Sequence, residues 1–128
     1  MVNLGTVSNV VGVLLISLGC FMLSALPFSL YYNEGDAIAI LNAAAVTIVA
    51  GALSWWYKFR TEENVGKREG YVIVVLGWFS MAICSMLPYL FSGAIPDISG
   101  AFFESVSGLT TTGASVLTDI EVVPKGIL

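Results

Sequence analysis

The chain has 128 residues, of which 57% are hydrophobic and only 11% charged, with a net charge of −4 and no histidine. Soluble domains carry about 25% charged residues, so that class is excluded, and five Lys and Arg in all leave no basic patch for nucleic acid. Lack of histidine removes the commonest general base and transition-metal ligand, and no nucleophile–base pair or metal-ligand cluster stands in for it, which argues against an enzyme.

The first 33 residues contain no charged side chain. Within them "VVGVLLISLGCFMLSAL", residues 10–26, is long enough to cross a hydrocarbon core of about 30 Å. No basic region precedes it, as a cleaved signal peptide would require. Pro27 is expected to kink or end this helix, and "YYNEGD", residues 31–36, reads as a tight polar turn. A second crossing runs from residue 37 to about 57 and closes on "WWYKFR". The polar loop "KFRTEENVGKREG", residues 58–70, follows, and a third crossing spans about 71–91 with Pro88 near its far end. Cys20 and Cys84 stand alone in apolar runs and read as small packing residues rather than a disulfide.

Orientation follows from the basic residues. Lys58, Arg60, Lys67 and Arg68, four of the five, lie between the second and third crossings. Short loops rich in Lys and Arg face the cytoplasm, so this loop and the N-terminus are expected inside. Glu34, Asp36 and everything after Ser92 are then outside. Tyr31, Tyr32, Trp55, Trp56, Tyr57, Tyr71 and Tyr89 fall near the expected boundaries, as interfacial aromatic belts do. Outer segments sum to −5 and the inner loop to +1; an acidic outer face either concentrates cations or simply hydrates external loops.

Two small-residue stripes suggest helix packing. Gly5, Gly12 and Gly19 recur every seven residues, and Ala43, Thr47 and Gly51 form a second series. They read either as surfaces for close helix approach, where lipid gives no hydrophobic drive, or as the ordinary Gly and Ala content of membrane helices.

After the third crossing, "SGAIPD" breaks the pattern and "PDISGAFFESVSGL", residues 96–109, reads as a helix capped by Asp97 or Ser99. Phe102, Phe103, Val106 and Leu109 are its expected apolar contacts. At 1.5 Å per residue it is roughly 18–20 Å long, too short to span. The polar "TTTGAS", residues 110–115, follows. At membrane depth irregular backbone survives only when buried in protein or lining water. Carbonyls and Thr hydroxyls there suit a dehydrated cation, with Gly113 free to take φ > 0. The other reading is an ordinary extracellular Thr/Ser/Gly loop.

The run "FFESVSGLTTTGAS", followed by "IEVVPKGIL", resembles the first pore loop of the Trk/Ktr/HKT family of potassium-uptake subunits, in its Trk branch. That resemblance implies an all-α polytopic membrane protein with three transmembrane helices, a short re-entrant pore helix (97–109) and an extended filter loop (110–115). Residues 1–70 would be two leading helices and a cytoplasmic loop, and residues 71–128 a partial first pore repeat. Thr111, Thr112, Gly113 and Ala114 would present filter carbonyls to K+, with Gly113 the selectivity glycine. Glu104, Thr110 and Ser115 would support them. Glu104 either accepts hydrogen bonds from filter amides or faces water in an outer vestibule.

The resemblance further implies that K+ is cargo and that this chain needs no cofactor. Its partners would be the remaining repeats of its own chain, a second pore subunit and a cytoplasmic nucleotide-binding regulatory subunit. The location would be the cell (inner) membrane, multi-pass, with the filter loop entered from outside. "PKGIL" reads as the first turn of a further crossing, so the sequence is expected to be a piece of a longer protein. A non-conducting membrane interaction module, with TTTGAS as an external loop, is the alternative function.

Overall fold

The computed structural model describes residues 4–32, 35–57, 66–118 and 123–127. Six helices are described: α1 (Leu4–Leu23), α2 (Leu26–Tyr32), α3 (Ala37–Trp56), α4 (Lys67–Ser85), α5 (Leu87–Ser92) and α6 (Ile98–Leu109). No strand occurs among the described residues. Three segments are long and apolar enough to cross a membrane, Leu4–Tyr32, Ala37–Trp56 and Lys67–Ser92, and they correspond to the three expected crossings. Lys58, Arg60, Glu34, Asp119 and Glu121, and with them most of the expected cytoplasmic loop, lie outside the described residues.

The first crossing is kinked rather than ended by its proline. Pro27 has no N–H to give the preceding turn, and sits instead in the first turn of α2, where none is needed. At the break, the Ser24 amide is shared between Cys20 and Phe21 carbonyls, and the Ser24 hydroxyl also donates to Phe21 O at 2.6 Å. Tyr31 and Tyr32 therefore finish α2, and the tight turn begins later, with Gly35 at φ +80°.

The two leading crossings are held by close antiparallel contact of α1 with α3. A Cβ built on Gly12 would lie 2.7 Å from both the Gly51 carbonyl oxygen and the Trp55 amide nitrogen. One built on Gly51 would lie 2.8 Å from the Gly12 carbonyl oxygen, and Gly19 is pressed in the same way against Ile48 and Ala44. All three α1 glycines and Ala43, Thr47 and Gly51 are buried. The stripes are thus the packing surfaces, and the backbones approach most closely at the glycines, where only hydrogen projects. Two hydroxyls in the seam are satisfied locally: Ser8 donates to Ser54 O across the helices, and Thr47 donates to Ala43 O.

Helix α4 lies against the other flank of α1, where Val7, Val11 and Leu15 pack with Val72, Ile73, Met81 and Cys84. It starts at Lys67, four residues before the hydropathy boundary at Tyr71. The backbone leaves the loop at Gly66 in an extended conformation, and Glu69 in the first turn complements the positive end of the helix dipole. Apolar content locates the crossing, not the polar turn that precedes it, so a division at residue 70 falls inside α4. Pro88 marks a second kink, between α4 and α5, and Gly93 at φ +73° closes α5. Large apolar side chains such as Phe21 (75% exposed) and Val75 (66%) point outward, as lipid contact allows. Tyr31, Trp56, Tyr57 and Tyr71 are exposed at helix ends, but Tyr89 is not: it packs beside Ile40, Val123 and Ile127. Its position near a helix end fitted the belt; its neighbours make it a packing residue.

Replacing Gly12 or Gly51 by Ala forces a methyl group onto backbone atoms and is expected to destabilise the purified protein by about 1–3 kcal/mol, the usual overpacking range. Gly70→Ala, whose Cβ meets nothing within 4 Å, is expected to be neutral or slightly stabilising. Thermal midpoints in detergent check both, and equal midpoints would refute the seam.

Candidate functional site: the end of helix α6

Helix α6 starts on Asp97, whose carboxylate accepts the Gly100 amide at 2.7 Å, so Asp97 rather than Ser99 is the cap. Its buried residues are Ala101, Ser105 and Ser107. This corrects the expectation that Phe102, Phe103, Val106 and Leu109 make the main contacts. Phe102 does meet Phe79 of α4, with ring centroids 6.0 Å apart, but Phe103 is 47% exposed and Val106 and Leu109 are half-buried. Small residues let α6 sit close to its neighbours, and of the four bulky ones Phe103 faces away. The same reasoning that found the stripes on α1 and α3 applies to Ala101 and Ser105, one turn apart, and would have found this face.

The helix ends in a Schellman arrangement. Thr112 N–H donates to Ser107 O at 2.9 Å and Thr111 N–H to Gly108 O at 3.1 Å, while Thr110 N–H and its hydroxyl both donate to Val106 O. This motif needs a left-handed residue, usually glycine, just past the helix. Here the residue is Thr111, at φ +54°. A β-branched side chain in that region is a conformational outlier, and such strain collects at functional sites. Gly113 follows at φ +74°, with open space where a Cβ would stand. The two left-handed residues alternate with Thr112, so the chain unwinds without becoming regular. The carbonyls of Thr111, Thr112 and Gly113 take no hydrogen bond from any described residue.

The rest of the segment is fastened back onto α6. Ser107 donates its hydroxyl to Ala114 O at 2.5 Å, which sets the Ala114 carbonyl apart from the three bare ones. Glu104 Oε2 accepts both the Ser115 hydroxyl (3.1 Å) and the Val116 amide (3.0 Å). Thr110 and Thr112 hydroxyls meet at 2.7 Å. The geometry thus brings together all seven residues singled out from the sequence: Glu104, Thr110, Thr111, Thr112, Gly113, Ala114 and Ser115. The residue that was missed is Ser107, which holds the segment on both sides of Gly113 through its carbonyl and its hydroxyl. Its only signal was a small hydroxyl residue one turn before the helix end. The negative end of the α6 dipole lies at the same place, and adds to the pull of bare carbonyls on a cation.

Comparisons with known proteins agree in family and in shape. The family model TrkH, described as a cation transport protein, matches residues 37–128. The Trk system potassium uptake protein TrkH of Salmonella typhimurium is 36% identical over 124 residues, covering 95% of this chain and 26% of that protein. The protein of the same name from Vibrio parahaemolyticus is 35% identical over 125 residues, covering 96% of this chain and 26% of its own length. The crystal structure of the potassium transporter TrkH from Vibrio parahaemolyticus superposes with a TM-score of 0.87 at 34% identity, over 96% of this chain and 26% of that one. The chain spans about a quarter of the length of the relatives it matches.

Glu104→Ala removes the acceptor of the Val116 amide. It is expected to speed hydrogen exchange there about tenfold, the equivalent of ~1.4 kcal/mol for a bond to a charged acceptor. Glu104→Gln keeps a carbonyl acceptor and should exchange at an intermediate rate. Equal Val116 rates in all three proteins would mean that Glu104 does not hold the segment.

Proposed function

The chain belongs to the TrkH family of cation transport proteins, and from that premise we propose that it supplies one of four filter segments of a pore that carries K+ across the cell membrane. The observation that carries this reading is the run of bare carbonyls on Thr111, Thr112 and Gly113, between two left-handed residues and braced by α6. Oxygens fixed in that way replace the water shell of a cation, and bracing keeps them from collapsing inward when no ion is present. The Ala114 carbonyl keeps one lone pair beside its bond to Ser107 and stands at the edge of the set. Glu104, Thr110 and Ser115 support the segment rather than contact the ion. The choice of K+ rests on the names of the relatives, potassium uptake proteins, and on glycine at position 113. Potassium is cargo, and no cofactor is assigned to the chain.

In this reading α6 enters from the outside, and the N-terminus with loop 58–70 is cytoplasmic. Lys67 and Arg68 opening α4 support that orientation, and exposed Trp56, Tyr57 and Tyr71 at the same pair of helix ends support a membrane boundary there. The membrane is the inner cell membrane. The remaining three segments come from further repeats of the same chain, with a second pore subunit and a cytoplasmic nucleotide-binding subunit as partners.

Gly113→Ser tests the filter. Space for the side chain is open, so the penalty is conformational: an L-residue held left-handed costs roughly 1–2 kcal/mol, and relaxation would turn the carbonyls away. In the complete transporter, Gly113→Ser is expected to lower K+ over Na+ discrimination about tenfold (~1.4 kcal/mol), and Gly113→Asp to abolish K+-limited growth at unchanged membrane abundance. Unaltered discrimination in both would leave the external-loop reading. That reading also expects Ala114→Cys, with Cys20 and Cys84 replaced, to react with an external thiol reagent regardless of K+; a filter residue is protected by K+.

A further inference from the structure

The geometry points to Ser29, Asp36 and Gly126 as positioning residues that fix the chain where it leaves the TTTGAS segment, and so assigns the leading helix pair a role in selectivity. The inference rests on the filter reading above and adds to it a second, remote support.

Asp36 stands at the N-cap position of α3 but makes no side-chain cap bond. It is 5% exposed, and Oδ1 accepts the hydroxyl of Ser29, itself 1% exposed, at 2.5 Å. The other oxygen, Oδ2, is buried without a hydrogen-bond partner among the described residues. A buried carboxylate oxygen left unpaired is costly, which makes its surroundings informative. They are filled by the turn 124–127, closed by Ile127 N–H on Pro124 O. A Cβ on Gly126 would lie 2.5 Å from Asp36 Oδ2, 2.7 Å from Ser29 Cβ and 3.1 Å from Ser29 Cα. Only hydrogen fits, and the glycine hydrogen that takes the place of Cβ points at Oδ2. A C–H···O contact of this kind is weak; what it gives is position, because no other residue can approach so closely.

Two further contacts hold the same turn. Lys125 places its ammonium 4.2 Å from the centroid of the Tyr32 ring at the end of α2, a cation–π geometry. Val123 and Ile127 are buried with Ile40 of α3, and Leu117 packs on that cluster. Leu117 is two residues beyond Ser115 and donates its amide to the Ser115 hydroxyl at 3.0 Å. The segment therefore has two anchors. Glu104 and Ser107 tie it to α6, and Leu117 with the 123–127 turn ties its continuation to α2 and α3. With only the first anchor, which reaches as far as Val116, the chain beyond it would be free to swing and to pull on the Ser115 and Val116 bonds to Glu104. The Ser29–Asp36 pair is the rigid seat of the second.

The test is made in the complete transporter, with membrane abundance and K+ over Na+ discrimination read together. Gly126→Ala is expected to lower discrimination at least fivefold while uptake of either ion persists. In a Ser29→Gly, Asp36→Ala background, which clears the two shortest contacts, the same Gly126→Ala change is expected to have less than a twofold further effect. Equal effects in both backgrounds would overturn the seat. Should Gly126→Ala fail to accumulate, Ser29→Ala and Asp36→Asn decide: both keep the volume, and both are expected to lower discrimination. Unchanged discrimination in those variants overturns the proposal. Gly113→Ser in parallel separates the two readings. If it alters discrimination and the seat variants do not, the seat fails and the filter stands; if neither does, both fail.

Discussion

A helix too short to span an apolar layer has to dispose of its last carbonyls before the far side, and the shape of residues 106–116 follows from how α6 does so. Water satisfies those groups at an ordinary helix end. Here the Val106, Ser107 and Gly108 carbonyls are taken by the three threonines that follow, in a Schellman turn completed without glycine. Forcing Thr111 into the left-handed region is unfavourable, and the conformation persists because Thr112, Ser107 and Glu104 fix the backbone on either side. The outcome is a short stretch in which the amides of Thr110, Thr111 and Thr112 are committed, while the oxygens at 111–113 take no bond from any described residue. At membrane depth, oxygens left open in this way have to face protein or a water-filled cavity.

The leading helices make a different use of the same physics. Lipid is as apolar as leucine, so burying Leu gains little, and close backbone contact through glycine is what associates α1 with α3. Hydroxyl groups in the seam bond to carbonyls within or across the pair, so no polar atom of Ser8 or Thr47 is stranded. The pair becomes a rigid platform, and its end at Ser29, Asp36 and Ile40 is where the chain returns after residues 110–115.

Much of this could be read from the residues in order. Length and apolarity placed three crossings to within a few residues, since a helix must bridge about 30 Å of hydrocarbon whatever it packs against. Pro27 marked the first kink because a missing N–H acts locally, and Pro88, legible only as lying near the end of the third crossing, marks the second. The motif at 102–115 identified the family, and its seven singled-out residues do cluster. Other features were not legible. The burial of Ala101, Ser105 and Ser107 in place of the phenylalanines depends on how near α4 comes to α6. Tyr89 looked like an interfacial residue until its neighbours were known. Asp36 read as part of a polar turn, and nothing in "YYNEGD" indicates that its partner is Ser29 or that Gly126 will press against it.

The sequence by itself determined the class, the number of crossings, the local breaks and the chemistry of the polar segment. All of these depend on properties that a residue carries with it: transfer free energy, a fixed φ, a missing donor. Only the tertiary structure decided which carbonyls are bare, which serine braces them and what holds the chain beyond Ser115. Those depend on distances between residues 7 to 97 positions apart, as between Ser107 and Ala114 or Ser29 and Gly126, and such distances are set by how closely the helices can approach.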